Sequence, residues 1–172
     1  ELWIEAEDFL EHPPTGWQRL APGAEVRLRY SYVVRCDEVI KDAGGRVVEL
    51  RCSIDFETLG KNPADRKIKG VIHWLAVAQA LPAEIRLYDR LFTVPEPDAD
   101  KTRGFCEFLN PQSLRVARGW IEPSVHSAGR ETHYQFERLG YFCTDRHDHQ
   151  PGNKLVFNRT VTLKDSWAKE QG

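Results

Sequence analysis

Apolar and polar residues alternate most cleanly over residues 26–36, where Val26, Leu28, Tyr30, Tyr32 and Val34 take one set of positions and Arg27, Arg29, Ser31, Val33 and Arg35 the other. A two-residue period predicts a β-strand, here with three arginines on one face. Lys41-Asp42-Ala43-Gly44-Gly45 supplies a hairpin turn with glycines able to take a positive φ, so residues 46–55 are expected to return as the partner strand. Over residues 69–77 the apolar positions fit neither a strand nor a helix period. Pro82 disfavours helix at Leu81, and the run behind it sets Ile85, Leu87 and Asp89 against Glu84, Arg86 and Tyr88, a strand with one apolar face. Further strands are expected over residues 1–9, 114–121 and 154–163, and over 133–144 with a glycine bend at Gly140. Residues 105–109 read as one helical turn, and Asp165 as the cap of a terminal turn.

Roughly ten short strands separated by turn signals describe an all-β chain, in the pattern of barrels or sandwiches rather than of a parallel sheet. Two proline-rich segments, HPPTG at residues 12–16 and VPEPD at residues 94–98, cannot join a ladder interior and are natural places for the chain to cross between lobes. The arrangement expected from them is two small antiparallel β-barrels. A distal one, residues 16–94, is inserted into a proximal one formed by residues 1–15 and 95–172.

Composition narrows the function classes only a little. Twenty-four Lys and Arg stand against 26 Asp and Glu, so a formal net charge of -2 carries no global sign of nucleic-acid binding. Base is in modest excess between Thr15 and Arg90, which could orient an anionic partner toward that part of the chain. No run approaches the ~18 apolar residues of a membrane span and no signal-peptide pattern opens the chain, so a cytoplasmic protein is expected. Cys36, Cys52, Cys106 and Cys143 sit singly in strand-like runs and read as reduced core thiols. Methionine is absent, position 1 included, which suggests a fragment of a longer protein.

Several residues could carry chemistry. Arginines at alternate strand positions can hydrogen-bond base edges, pair with phosphates or stack on splayed bases; the same pattern also suits a solvated strand face. Gln135 and Glu137 share an expected strand face, away from Tyr134 and Phe136, and a Gln held by a carboxylate can read a pyrimidine edge or simply form a polar surface pair. Trp17 beside Arg19 could stack a base and hold its phosphate, or anchor a loop. Cys143, His147 and His149 lie within seven residues but lack the second ligand pair of a zinc site, and His73 reads as a structural histidine. Neither a glycine-rich phosphate loop nor a nucleophile elbow is present.

KGVIHW, ALPAEIRLYDRLF and FNRTVTLKDSWAK, together with Trp3-Ile4-Glu5, VRLRYSYV from Val26, Asn62-Pro63-Ala64-Asp65 and residues 135–143, fall in the order found in one family. The chain resembles the C-terminal anticodon-binding region of glutaminyl-tRNA synthetase, a class I aminoacyl-tRNA synthetase. The resemblance implies that Arg27 and Arg29 meet the first anticodon base, and that Gln135, Glu137 and Arg138 grip the middle uridine, Glu137 by holding an arginine. It implies that Arg19 lies near the third base; the family's Lys-Arg pair is Gln18-Arg19 here, so only Arg19 carries over. The partner implied is the anticodon loop of tRNA(Gln), alongside a catalytic domain upstream of Glu1. The family's HIGH-type and KMSKS-type signatures are missing, so ATP and magnesium belong to the parent enzyme, expected to be a monomer, and no cofactor or catalytic residue is expected in this chain. Two other readings share the pattern: the related glutamyl-tRNA synthetase of archaeal or eukaryotic type, and a protein-interaction module of two small barrels.

Overall fold

A computed structural model describes residues 1–163, so the cap expected at Asp165 lies outside the described residues. Regular structure among them is β-strand and short 3₁₀ turn throughout, which makes the chain all-β. Among the described residues no helix is long and apolar enough to cross a membrane, which leaves β-barrel membrane proteins untouched. The chain divides into two compact units, Glu1–Ala78 and Gln79–Gly172. The division therefore falls ahead of the proline-rich segment at 94–98, where a lobe crossing was expected. That segment belongs to an excursion that closes on itself: Thr93 N–H donates to Phe108 O (2.8 Å), Asn110 N–H to Leu91 O (2.8 Å) and Asp89 N–H to Ser113 O (2.8 Å). Prolines end a ladder, but they do not decide which unit the chain returns to.

The strands of the first unit are Leu2–Trp3 (β1), Glu25–Leu28 (β2), Val33–Lys41 (β3), Val47–Asp55 (β4), Val71–Ile72 (β5) and Leu75–Ala76 (β6). They form a sheet in the order β4-β3-β2-β5 and a separate β1-β6 pair. Leu20, Val26, Leu28, Val34, Cys36 and Ile72 are its buried core, with Ile4, Phe9, Val39, Leu50 and Trp74 packed against them. The β3-β4 hairpin is as expected: Asp42 Oδ1 accepts from Gly44 N–H and Arg46 N–H (2.9 Å each), and Gly45 takes φ 80°.

The strand expected over residues 26–36 is instead a hairpin. β2 ends at Leu28, Tyr30 takes φ 57°, Ser31 N–H donates to Leu28 O (2.8 Å) and Leu28 N–H to Tyr32 O (2.9 Å). The alternation runs on unbroken through this turn, so periodicity could not show the reversal. Arg27 faces Val33 and Arg35 faces Glu25 across the two strands, while Arg29 stands in the turn.

Gly70 fixes how the first unit closes around β2. Its carbonyl accepts Arg27 N–H (2.9 Å), and a Cβ at Gly70 would lie 2.0 Å from Gln18 O and 3.1 Å from Val26 Cγ1. Only a residue without a side chain lets the Gln18 backbone approach this closely.

In the second unit the strands are Leu81–Tyr88 (β7), Leu114–Ile121 (β8), His133–Phe136 (β9), Gly140–Thr144 (β10) and Leu155–Val161 (β11), in the order β8-β7-β11-β10-β9. Ala83, Val125, Ala128, Phe142, Leu155 and Phe157 are buried, and Ile85 and Leu87 from β7 pack on them, as the one-sided apolar pattern of that strand predicts. Rings fill the β9 side: Phe136 stacks on Phe142 with centroids 4.4 Å apart and meets Phe157 at 5.1 Å. Residues 133–144, expected as one bent strand, are a hairpin, with Phe136 opposite Gly140. Gly140, at φ 146°, comes so near β11 that a Cβ would lie 2.6 Å from Val161 O.

Two features depart from the expected antiparallel barrels. β2-β5 and β7-β11 are parallel pairs. No sheet closes among the described residues, because β4 and β5 end one sheet and β8 and β9 the other without a further ladder partner. Parallel partners lie far apart in sequence, where a local period carries no information about pairing. The thiols also differ from expectation: all four are free, but of them Cys36 alone is buried, and Cys52 and Cys106 are exposed.

Asp145 anchors the loop after β10. Oδ1 accepts from His147 N–H (2.9 Å) and Asp148 N–H (2.7 Å), and Oδ2 from Arg86 (3.1 Å) and Asn158 (2.8 Å). Burial pushes its carboxyl up, but these donors outweigh burial and hold it down at about 2. Behind the loop His149 is fully buried, its Nε2 on Ala128 O (2.9 Å) and its Nδ1 accepting Val156 N–H (3.2 Å), so neither ring nitrogen is open to a metal. Among the described residues no three His, Cys, Asp or Glu side chains converge as metal ligands.

Gly70→Ala should cost about 2–3 kcal/mol in urea unfolding, since the added methyl meets backbone rather than a movable side chain. Gly119→Ala, whose Cβ would lie 3.5 Å from Ile85 Cγ1, should change stability little. Because Asp145 is depressed below its unfolded value near ~3.9, its contribution of roughly 2 kcal/mol is complete above that pH and disappears as pH falls toward 2. Thermal melts from pH 5 to 2 should show this slope, and Asp145→Asn should flatten it while lowering the melting temperature at pH 7.

Candidate nucleic-acid interface

The candidate residues gather on two hairpin tips, one in each unit, with Arg19 on a separate segment of the first. Arg27 is held most tightly. Its Nη1 donates to Ser31 O and Thr58 O (2.8 Å each), and its Nη2 to Lys61 O (2.5 Å) and Asn62 Oδ1 (3.1 Å). The donors expected to face RNA are thus turned on protein oxygens, and they tie the β2-β3 tip to the loop after β4. Thr58 completes the joint, accepting Val33 N–H (2.9 Å) and donating to Asp55 O (2.6 Å) through its hydroxyl. Further along that loop, Arg66 bridges Glu25 (2.8 and 3.0 Å), Asp55 (2.6 Å) and Asp65 (3.0 Å), pinning the Asn62-Pro63-Ala64-Asp65 segment to β2 and β4.

Arg29 is anchored through its backbone, with its N–H on Ile72 O (3.0 Å) and its carbonyl accepting Trp74 Nε1–H (2.9 Å). Its guanidinium carbon lies 5.1 Å from the centre of the Tyr30 ring. Arg19 donates to Glu7 O (3.0 Å) and pairs with the buried carboxylate of Asp8 (3.2 Å), its outer part still exposed. Trp17 lies 5.7 Å from that guanidinium and gives its indole N–H to Leu20 O (3.1 Å), so this tryptophan anchors its loop while flanking the arginine. Arg35 pairs with Asp37 (2.8 Å) at the surface.

In the second unit Gln135 is exposed on β9, the last strand of its sheet, opposite Tyr141, because Tyr134 and Phe136 on either side turn into the aromatic core. Its carboxamide makes no hydrogen bond among the described residues, leaving one donor group and one acceptor to present. Glu137 and Arg138, expected to continue that strand, lie in the β9-β10 turn, where Arg138 takes φ 66° and is exposed. Sequence reasoning missed Tyr30, which it counted with the apolar positions, and Phe56, which it did not single out; they are 86% and 72% exposed.

A basic and aromatic hairpin tip in one unit and an exposed, unbonded amide on an edge strand in the other suit recognition of single-stranded RNA, in which splayed bases stack and offer their edges. Two models of the anticodon-binding domain of class I tRNA synthetases (E and Q) match the chain, at residues 71–145 and 1–55. The chain belongs to this family. It is 58% identical over 172 residues to glutamine-tRNA ligase of Chromobacterium violaceum, covering 97% of this chain and 31% of that protein. Identity is 55% to the glutamine-tRNA ligase of Neisseria meningitidis (96% of this chain, 30% of that protein) and 57% to that of Pseudomonas putida (97% and 30%). This anticodon-binding chain therefore spans under a third of the length of the curated relatives it matches.

Arg27→Lys should detach the loop that the guanidinium holds, since one ammonium cannot satisfy four separated oxygens. Hydrogen exchange of residues 58–62 should accelerate by about tenfold or more while the β3-β4 ladder keeps its protection. Unchanged exchange in that loop would show that the clamp is dispensable.

Proposed function

We propose that the chain is the anticodon-reading part of a glutamine-tRNA ligase, a cytoplasmic enzyme whose catalytic domain lies outside residues 1–172. The observation that carries this reading is the 58% identity to a glutamine-tRNA ligase over 97% of the chain. Ligation of glutamine to tRNA(Gln), with ATP and magnesium, belongs to the parent enzyme; this chain selects the CUG or UUG anticodon and does no chemistry. Closure of its open sheets into two small barrels is part of the same proposal, as is a monomeric parent.

On this reading Arg29 pairs with the first anticodon base or its phosphate, the planar guanidinium offering donors in a fixed fork. Arg27 acts one step removed, by fixing the tip that carries Arg29. Gln135 presents both a donor and an acceptor to the middle uridine, Arg138 extends that grip, and Glu137 acts by holding an arginine. Arg19 reaches the third base, its position fixed by the buried Asp8 carboxylate. A wrong base leaves a desolvated polar group unpaired, at about 1–3 kcal/mol each. The glutamine relatives favour this reading over the glutamyl alternative, which shares the family.

Isothermal titration of the full chain with a tRNA(Gln) anticodon stem-loop should show binding that weakens as salt rises, as phosphate contacts require. Gln135→Ala should cost about tenfold against the cognate loop and relax preference at the middle base; Arg29→Ala should weaken binding and shallow the salt slope. Equal binding of a stem-loop with a scrambled anticodon would defeat the proposal.

A further inference from the structure

Two aromatic rings of the first unit stand outside its core. Tyr30 and Phe56 are the most exposed aromatic side chains among the described residues, at 86% and 72%. Tyr30 holds this place in a left-handed conformation, φ 57°, which a bulky side chain adopts seldom and at a cost. A tip that had only to turn would be served better by glycine or asparagine.

The support beneath the rings is built rather than incidental. Arg27 joins the two turns that carry them, donating to Ser31 O beside Tyr30 and to Thr58 O in the Phe56–Thr58 turn (2.8 Å each). Tyr32 meets Phe56 edge-on at 5.7 Å. The Arg29 guanidinium lies 5.1 Å from the centre of the Tyr30 ring. The nearby Asp55 carboxylate pairs with Arg66 at 2.6 Å, and Glu57 is the neighbouring carboxylate. Exposed rings on a fixed base, with a cation beside Tyr30, fit an anionic polymer whose planar bases each have a π face.

We propose that Tyr30 and Phe56 form a stacking platform for one unpaired nucleotide of the RNA loop, in addition to the bases met by Arg29 and Gln135. This inference rests on the anticodon-binding reading. It makes the platform tolerant of base identity, so it contributes affinity and not anticodon choice.

The full chain would be titrated with a tRNA(Gln) anticodon stem-loop, a scrambled-anticodon stem-loop, and cognate loops carrying 2-aminopurine at single loop positions. Tyr30→Ala and Phe56→Ala should each weaken both stem-loops about five- to tenfold, leave the cognate-to-scrambled ratio unchanged, and abolish quenching of 2-aminopurine at one position. Tyr30→Phe should bind as the wild type does. Tyr30→Gly should lose affinity while its melting temperature holds or rises, because the backbone strain is relieved; this separates loss of the ring from loss of the fold. Wild-type affinity in both alanine variants overturns the platform and leaves the anticodon reading standing, with the rings then assigned to a protein contact. Loss of affinity in both variants, with no cognate preference in the wild type, supports the platform and defeats the anticodon reading. Absence of RNA binding by the wild type overturns both.

Discussion

Arg27 joins two surface turns of the first unit that no strand ladder connects. The β2-β3 tip and the loop after β4 are both surface turns, and loops of that kind have few apolar contacts to fix them. One guanidinium, with its planar fork of donors, meets four oxygens from Ser31, Thr58, Lys61 and Asn62. Neutral carbonyls satisfy the donors without pairing off the guanidinium charge. Arg29, Tyr30 and Phe56 take their positions from that joint, and a lysine there could order only part of it.

The second unit solves the same problem with opposite chemistry. There an acid, Asp145, is surrounded by donors from His147, Asp148, Arg86 and Asn158. Arg86 in turn carries Glu84 at 2.7 Å as well as Asp145, which makes the loop after β10 part of the β7-β11 sheet. Such a network needs every member in place, because a buried charge left unpaired is costly. The β9-β10 hairpin, resting on its Phe136-Phe142-Phe157 rings, is then free to present Gln135 outward.

Both tips share a further property: each holds a non-glycine residue in the left-handed region, Tyr30 in one and Arg138 in the other. Strained positions of this sort persist only where the surrounding structure over-determines them, and they concentrate at binding sites. Arg29 and Tyr30 in the first unit and Glu137 and Arg138 in the second thus stand in short turns on antiparallel pairs, whereas Gln135 stands on β9 itself.

Much of this was legible in the order of residues. The all-β class, the β3-β4 hairpin with its Asp42-to-Gly45 turn, the apolar face of β7 and the outward position of Gln135 follow from two-residue periods and turn chemistry, which are local. The family likeness named Arg19, Arg27, Arg29, Gln135, Glu137 and Arg138 as a set. What local pattern could not supply was any fact about pairing at a distance. Alternation over residues 26–36 reads the same whether the chain runs straight or reverses at Tyr30; the hydrogen bonds of Leu28 with Ser31 and Tyr32 and the antiparallel β2-β3 register tell them apart. The parallel partners of β2 and β7, and the boundary between Ala78 and Gln79, likewise depend on which distant segments bury their apolar faces together. Arg27 shows the difference in one side chain: its residue type announced a forked donor, but tertiary structure turned that fork inward, because Thr58, Lys61 and Asn62 arrive from more than thirty positions along the chain with carbonyls to satisfy.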